Sequence, residues 1–167
     1  MALSAVAVDL DGALGDTRPL WDDFLADAAR RYASIAPLDP SALPEDRGDA
    51  AEELDRWAER GVGDWRAALE RFAEERAPVH FRPSADAAAA LRALAASGRR
   101  LGVYTDAPAE LAGVALAHLG AGRHVELAET GAGARERLLE ALGPDTAVAA
   151  TREDLVRISE SGGEESR

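Results

Sequence analysis

Short apolar runs alternate along the chain with longer stretches in which apolar residues recur at helical spacing. Each run has the length of a strand buried in a parallel sheet, and the first ends in acidic residues and glycine. The four predicted strands are Ser4–Leu10, Leu101–Thr105, His124–Ala128 and Thr146–Ala150. Strands that alternate with helices predict an α/β fold whose parallel sheet is covered by helices.

The stretch between the first two strands has a different pattern. From about residue 16 to residue 81 it contains helical periodicity, prolines and the turn Gly61–Gly63, but no strand. We therefore predict a core of residues 1–15 and 82–158 with a helical insert of residues 16–81. Trp21, Trp57 and Trp65 lie in this insert and are expected to pack its helices together. The polar tail, residues 159–167, is predicted to be disordered.

Composition excludes several classes of function. The 167 residues contain no cysteine, which rules out disulfides and thiolate chemistry, and all 19 basic residues are arginine. A net charge of −12 disfavours nucleic-acid binding. No apolar run approaches the roughly 20 residues that a membrane helix needs, so we expect no membrane partner and a cytoplasmic location. The Ala-, Arg-, Asp- and Gly-rich composition is typical of a GC-rich bacterial genome.

Polar side chains cluster where the first two predicted strands end. Asp9 and Asp11 are two residues apart, so a persisting strand would point both to the same side, and Gly12 would allow a sharp turn. Thr105 and Asp106 end the second strand. Because ligands of open α/β sheets bind at the carboxyl ends of strands, we expect these residues to converge.

Such a cluster suits phosphoryl transfer. One carboxylate can attack phosphorus to form an aspartyl-phosphate, and the second can protonate the leaving oxygen and then deprotonate water. A threonine hydroxyl can hold phosphate oxygens, and a divalent cation would bring the anionic substrate beside the carboxylates. The simpler alternative is that Asp9 and Asp11 only cap a helix or solvate a strand end. The glycine and the threonine in sequence order favour the site.

Two segments resemble motifs of the haloacid dehalogenase superfamily. Asp9–Pro19, D-L-D-G-A-L-G-D-T-R-P, resembles its first motif, and Leu101–Thr105 resembles its second, together with the preceding segment from Arg82. The helical insert is similar to the small cap of that family. The resemblance implies a Rossmann-like three-layer core and a Mg²⁺-dependent hydrolase. It also implies a small phosphorylated metabolite as substrate, because phosphatases of the family carry the second aspartate and true dehalogenases generally do not.

The resemblance also implies roles for individual residues. Asp9 would be the nucleophile and a metal ligand. Asp11 would be the general acid and base, with its backbone carbonyl on the metal. Thr105, followed by Asp106, would bind the phosphate.

The third and fourth motifs depart from the family pattern. The third supplies a lysine, which this chain lacks; Arg135 or Arg137 could reach the phosphate instead, although a surface position is the simpler interpretation for each. The fourth supplies metal-binding acids, but Thr151 and Arg152 stand in their place. Asp154, or its neighbour Glu153, could still be a metal ligand or could simply begin a helix. Arg152 could bind phosphate directly.

These departures leave alternatives open. A phosphatase with a weak Mg²⁺ site is the leading hypothesis. A catalytically impaired protein that serves as a binding or regulatory module is the second. A third is a subunit whose missing cation comes from a partner chain, since the sequence does not determine the oligomeric state.

Overall fold

The computed structural model describes residues 3–162, and its centre is a four-stranded parallel sheet. The strands lie in the order β3-β2-β1-β4. They are β1 (Ala5–Asp9), β2 (Arg100–Thr105), β3 (Leu127–Thr130) and β4 (Thr146–Ala149). The predicted α/β fold is thus confirmed. The third strand begins later than predicted, because Gly122–His124 forms a 3₁₀ turn before it.

Seven α-helices surround the sheet in the described part of the chain. They are α1 (Arg18–Arg31), α2 (Arg47–Ala58), α3 (Trp65–His80), α4 (Ala85–Ala96), α5 (Ala109–His118), α6 (Ala134–Leu142) and α7 (Arg152–Ser161). Helices α1 to α3 form the insert between β1 and β2, where the sequence predicts helices and no strand. Ser84 caps α4 by accepting a hydrogen bond from the backbone N–H of Ala87.

Two helices extend further than the sequence predicts. Helix α3 continues through Pro78 to His80, although a proline usually ends a helix. A proline this close to the end interrupts few helical hydrogen bonds, and burial of Ala77 and Phe81 holds the last turn in place. Helix α7 reaches Ser161, so its last turn lies in the segment predicted to be disordered; residues 163–167 lie outside the described residues.

The sheet is the middle of three layers. Alternate residues of β1 belong to different apolar clusters: Ala5 and Ala7 pack with α6, while Val6 and Val8 pack with α4, α5, α7 and the insert. Helix α6 approaches the sheet closely because Gly102 of β2 has no side chain; a Cβ there would lie 2.5 Å from Leu138 Cδ1.

The insert shares its apolar cluster with the core. Trp21, Phe24, Trp65 and Phe72 stack on one another, with neighbouring ring centroids 5.7–6.4 Å apart, and Trp57 packs against Tyr32. Helix α3 also packs along α5 of the core. These contacts bring the first turn of α2 to the carboxyl edge of the sheet. Within residues 3–162, every helix is too short or too polar to span a bilayer.

Candidate active site

The end of β1 is a π-helical turn rather than a continued strand. Residues Leu10–Leu14 form this turn, which the backbone N–H of Gly15 closes by donating to the carbonyl of Leu10 at 2.9 Å. Asp9 Oδ1 accepts the backbone N–H groups of Asp11 at 3.0 Å and Gly12 at 3.3 Å. Asp9 and Asp11 therefore line the same cleft, as expected, but through this turn and not through strand alternation.

Gly12 is needed for a different reason from the one we expected. Its φ is not in the left-handed region, so the turn itself does not require glycine. A Cβ at this position, however, would lie 2.0 Å from the carbonyl oxygen of Ala150, just after β4. Gly12 thus permits the close approach of two backbones beside Asp9.

An open cleft of about 500 Å³ lies at the carboxyl edge of the sheet. Five of the predicted site residues line it. They are Asp9, Asp11, Thr105, Asp106 and Arg135. The first turns of α1, α2 and α6 form the rest of its wall, which includes Arg18, Arg47 and the loop from Gly131 to Gly133.

The carboxylate of Asp11 accepts hydrogen bonds on both oxygens. Oδ1 accepts the backbone N–H of Thr17 at 2.8 Å and its hydroxyl at 2.6 Å. Oδ2 accepts the hydroxyl of Thr105 and a guanidinium N–H of Arg47, both at 2.8 Å. Four donors thus hold a side chain that is 11% exposed.

Arg47, the first residue of α2, is the site residue that the sequence analysis missed. It is 3% exposed, and its guanidinium forms ion pairs of 2.8 Å with Asp11 and Asp106. It also donates to the hydroxyls of Thr17 at 2.6 Å and Thr105 at 3.4 Å. An arginine at the start of a polar helix has the sequence pattern of a solvated residue. The adjacent Gly48, with no turn to explain it, was the only local signal.

Burial and neighbouring charges shift the pKa values of acidic groups in the cleft in opposite directions. Burial raises the pKa of the Asp106 carboxyl, but the hydrogen bonds and charge of Arg47 outweigh burial and leave that pKa lowered. Burial and the neighbouring Asp11 raise the pKa of Asp9, more than its two backbone hydrogen bonds lower it. Burial and the charge of Asp9 likewise raise the pKa of the Tyr104 phenol.

The predicted residues after β4 do not reach the cleft. Arg152 donates to the carbonyls of Ala13 at 3.2 Å and Leu14 at 3.0 Å, so it closes the end of the π-helical turn. Asp154 and Thr151 form a capping box at the start of α7, and Arg157 donates to Asp154 at 2.9 Å. Asp154 therefore lies in the first turn of a helix, which was the alternative to metal binding in the sequence analysis.

The two arginines near the third motif are placed differently. Arg137 donates to Glu129 and to the carbonyls of Thr130 and Ala132, and so stabilises the loop before α6. Arg135 lines the cleft beside the Tyr104 hydroxyl, and among residues 3–162 no carboxylate lies within ion-pair distance of it. Arg135 is therefore the one of the two that can meet an anionic ligand.

The donor set does not fit a divalent cation in this arrangement. Among the described residues, no three acidic or histidine side chains converge as a metal site. Of the ligands that the resemblance and the sequence suggested, the Asp11 carboxylate is bonded to protein donors on both oxygens, which leaves only its backbone carbonyl for a cation, and Asp154 caps helix α7. Asp9 is then the one side chain of these three that remains to bind a cation, and Arg47 is the cation between Asp11 and Asp106.

Comparisons with known proteins agree with this fold. A family model described as haloacid dehalogenase-like hydrolase matches residues 3–152. No curated protein shows significant similarity to the sequence. A solved structure designated a phosphoglycolate phosphatase, from Lactobacillus plantarum, is 14% identical with a TM-score of 0.57, and covers 96% of this chain and 84% of its own.

A second solved structure, designated a β-phosphoglucomutase and from Thermotoga maritima, is 18% identical with a TM-score of 0.52. It covers 98% of this chain and 82% of its own. Structural matches with identities this low show only that the Rossmann-like fold is shared. The family assignment rests on the family model, which matches residues 3–152. The chain belongs to the haloacid dehalogenase-like hydrolase family.

Proposed function

We propose that the protein hydrolyses a small phosphate monoester in the bacterial cytoplasm, through an aspartyl-phosphate formed on Asp9. One observation carries this proposal. Asp9 lines the cleft and is held by hydrogen bonds to Oδ1 alone, and within residues 3–162 its Oδ2 accepts no hydrogen bond. A held carboxylate with one unused oxygen is the arrangement that an attacking nucleophile needs.

The reaction has two steps in this proposal. Asp9 Oδ2 attacks phosphorus, the ester P–O bond breaks, and the leaving alkoxide takes a proton. Water then attacks the phosphorus of the aspartyl-phosphate, the bond to Asp9 breaks, and inorganic phosphate leaves. Asp11 is placed beside Asp9 to give the first proton and to take one from the water. It must exchange part of its present hydrogen bonding to do so.

Groups around Asp9 support phosphate binding. Arg135 projects from the first turn of α6, whose N-terminal end carries a partial positive charge. The Thr105 hydroxyl lies in the same cleft, at the end of the neighbouring strand. The family generally uses Mg²⁺, and activity is therefore to be measured with and without it. No step above depends on a metal.

The test is hydrolysis of a panel of phosphate monoesters by the wild type and by Asp9→Asn. We expect the variant to lose at least roughly 10³-fold in kcat/KM, because the substituted amide is not a nucleophile. Asp86→Asn is the matched control, since Asp86 is an exposed acid in the first turn of α4, away from the cleft. Equal activity of wild type and Asp9→Asn would reject the proposal.

A second candidate is a binding module with the same fold. The observation that favours it is the complete hydrogen bonding of Asp11, which leaves no oxygen free for proton transfer in this conformation. In that case the wild type would turn over no ester of the panel. It would still bind inorganic phosphate in a calorimetric titration, and Arg135→Gln would weaken that binding.

A further inference from the structure

The guanidinium of Arg47 lies between the carboxylates that follow β1 and β2. Its Nη2 atom lies 2.8 Å from Asp11 Oδ2, 2.8 Å from Asp106 Oδ1 and 3.4 Å from Thr105 Oγ1. Oxygens from three side chains therefore surround a single positively charged group. Two of these side chains, Asp11 and Asp106, are carboxylates.

Several contacts fix Arg47 at this depth. Asp106 Oδ2 accepts the backbone N–H of Arg47 at 3.0 Å, while Oδ1 accepts its side-chain Nε–H at 3.1 Å, so one carboxylate holds both its backbone and its side chain. Next to it, Gly48 lies directly against the loop before α6: a Cβ on Gly48 would be 2.0 Å from the backbone nitrogen of Ala132. The insert is thus docked so that Arg47 reaches into the core.

Stability alone is a weak explanation for this arrangement. Replacing a buried ion pair by apolar residues is often neutral or stabilising, because both charges must be desolvated. Here one guanidinium faces two carboxylates, and Asp9 is close by, so the cluster keeps a net negative charge. A phosphate dianion entering this cleft requires positive charge beside it.

We propose that Arg47 supplies this positive charge in place of a divalent cation, so that hydrolysis does not require one. This inference rests on the proposed function. When substrate enters, the ion pair of Arg47 with Asp106 breaks before the one with Asp11, because the Asp106 side chain is 37% exposed and the Asp11 side chain is 11% exposed. The guanidinium N–H groups released in this way donate to the phosphate. The planar guanidinium suits this exchange because it can bind two oxygens at once.

The test compares the wild type with Arg47→Gln, Arg47→Lys and the control Arg100→Gln. Arg100 is an arginine at the opposite end of β2, paired with the exposed Glu126. Two quantities are measured: hydrolysis in EDTA and in Mg²⁺, and the shift of the melting temperature, Tm, when Mg²⁺ alone is added. The second readout needs no activity.

We expect wild type and Arg100→Gln to keep their activity in EDTA within about twofold, and to show no Mg²⁺-dependent Tm shift. Arg47→Gln should lose roughly 100-fold or more in EDTA. Because its Asp11 and Asp106 are freed, Mg²⁺ should raise its Tm and restore part of its activity. Arg47→Lys keeps the charge without the planar geometry, and should retain an intermediate activity in EDTA.

Arg47→Gln leaves two carboxylates without their partner. A double variant therefore separates loss of function from misfolding. Arg47→Gln/Asp106→Asn removes one charge of each sign and should fold, as far-ultraviolet circular dichroism would show. We expect it to be inactive in EDTA and to respond to Mg²⁺ less than Arg47→Gln does. Wild-type activity of this double variant in EDTA would overturn the inference.

Two further outcomes are decisive. Loss of wild-type activity in EDTA with recovery in Mg²⁺ would overturn the role of Arg47. If the wild type turns over no substrate, the proposed function fails and the Tm measurement decides alone. A Mg²⁺-dependent shift in Arg47→Gln but not in wild type then supports Arg47 as the resident cation, and the same response in both proteins overturns it.

Discussion

Two places at the carboxyl edge of the sheet carry the same residue types and use them differently. Where β1 and β2 end, Asp11 and Thr105 bond to each other and to Arg47, which lies 36 positions from Asp11 in the chain. Where β4 ends, Thr151 and Asp154 bond to each other within one helical turn. Both places combine an acid, a threonine and an arginine, yet only the first lines the cleft.

The difference comes from the local backbone. Helix α7 begins directly after β4, and its free N–H groups need acceptors, which Thr151 and Asp154 provide. After β1, Oδ1 of Asp9 accepts the free N–H groups at the start of the π-helical turn, so Asp11 remains available for side chains from distant segments. A polar side chain at a strand end therefore contributes to a site only the atoms that the following backbone does not occupy, as Oδ2 of Asp9 does.

The largest stability effect that we expect from this comparison concerns the docking of Arg47. Gly48→Ala would place a Cβ 2.0 Å from the Ala132 nitrogen, so α2 must shift and withdraw Arg47. We expect a loss of about 1–3 kcal/mol in the free energy of unfolding, measured by chemical denaturation.

Gly113→Ala is the matched control for that variant. Gly113 also lies within a helix, but a Cβ there meets nothing within 4 Å. It should gain about 0.5–1 kcal/mol, because alanine favours a helix more than glycine does. If Gly48→Ala were as stable as Gly113→Ala, the backbone contact would not position the insert.

A smaller effect on stability and KM distinguishes Arg135, which lines the cleft, from Arg152, which follows β4. Arg152→Ala removes the donors to the Ala13 and Leu14 carbonyls, and should cost about 1 kcal/mol in stability without raising KM. Arg135→Ala should raise KM for the phosphate ester and change stability by less than about 0.5 kcal/mol. Denaturation and steady-state kinetics on both variants test this. A raised KM for Arg152→Ala with an unchanged KM for Arg135→Ala would indicate that phosphate binds at the end of β4 instead.

The smallest effect is on the pH dependence of stability, to which Asp9 and Asp154 should contribute with opposite signs. Burial raises the pKa of Asp9, so its ionised form destabilises the fold above that pKa, and the cost disappears as pH falls through it. We expect Asp9→Asn to gain less than about 0.5 kcal/mol near neutral pH, with the gain vanishing in acid. Thermal unfolding between about pH 3 and pH 7 measures it.

Asp154 provides the opposite case in the same experiment. The hydrogen bond from Arg157 lowers the pKa of Asp154, so its ionised form contributes stability above the usual aspartate value of about 3.9. That contribution is lost only as pH falls through the lowered pKa. Asp154→Asn should therefore reduce Tm near neutral pH. A gain in Tm for Asp154→Asn, or a loss for Asp9→Asn, would contradict the assigned environments.

Much of the fold could be predicted because local patterns determine it. The alternation of strands and helices and the helical insert between the first two strands follow from hydrophobic periodicity. The convergence of Asp9, Asp11 and Thr105 followed from strand order, since parallel neighbours end at one edge. The extension of α3 beyond Pro78 could not be predicted, because it depends on burial against the core.

By itself, the sequence determined which acids stand at the strand ends and that the chain has no lysine to balance them. Only the tertiary structure decided which of its 19 basic residues, all arginines, pairs with Asp11 and Asp106. Helical periodicity places Arg47 at an ordinary polar position, and its burial depends on the packing of the insert and on the clearance at Gly48. Such clearances arise between segments distant in the chain, and no local pattern encodes them.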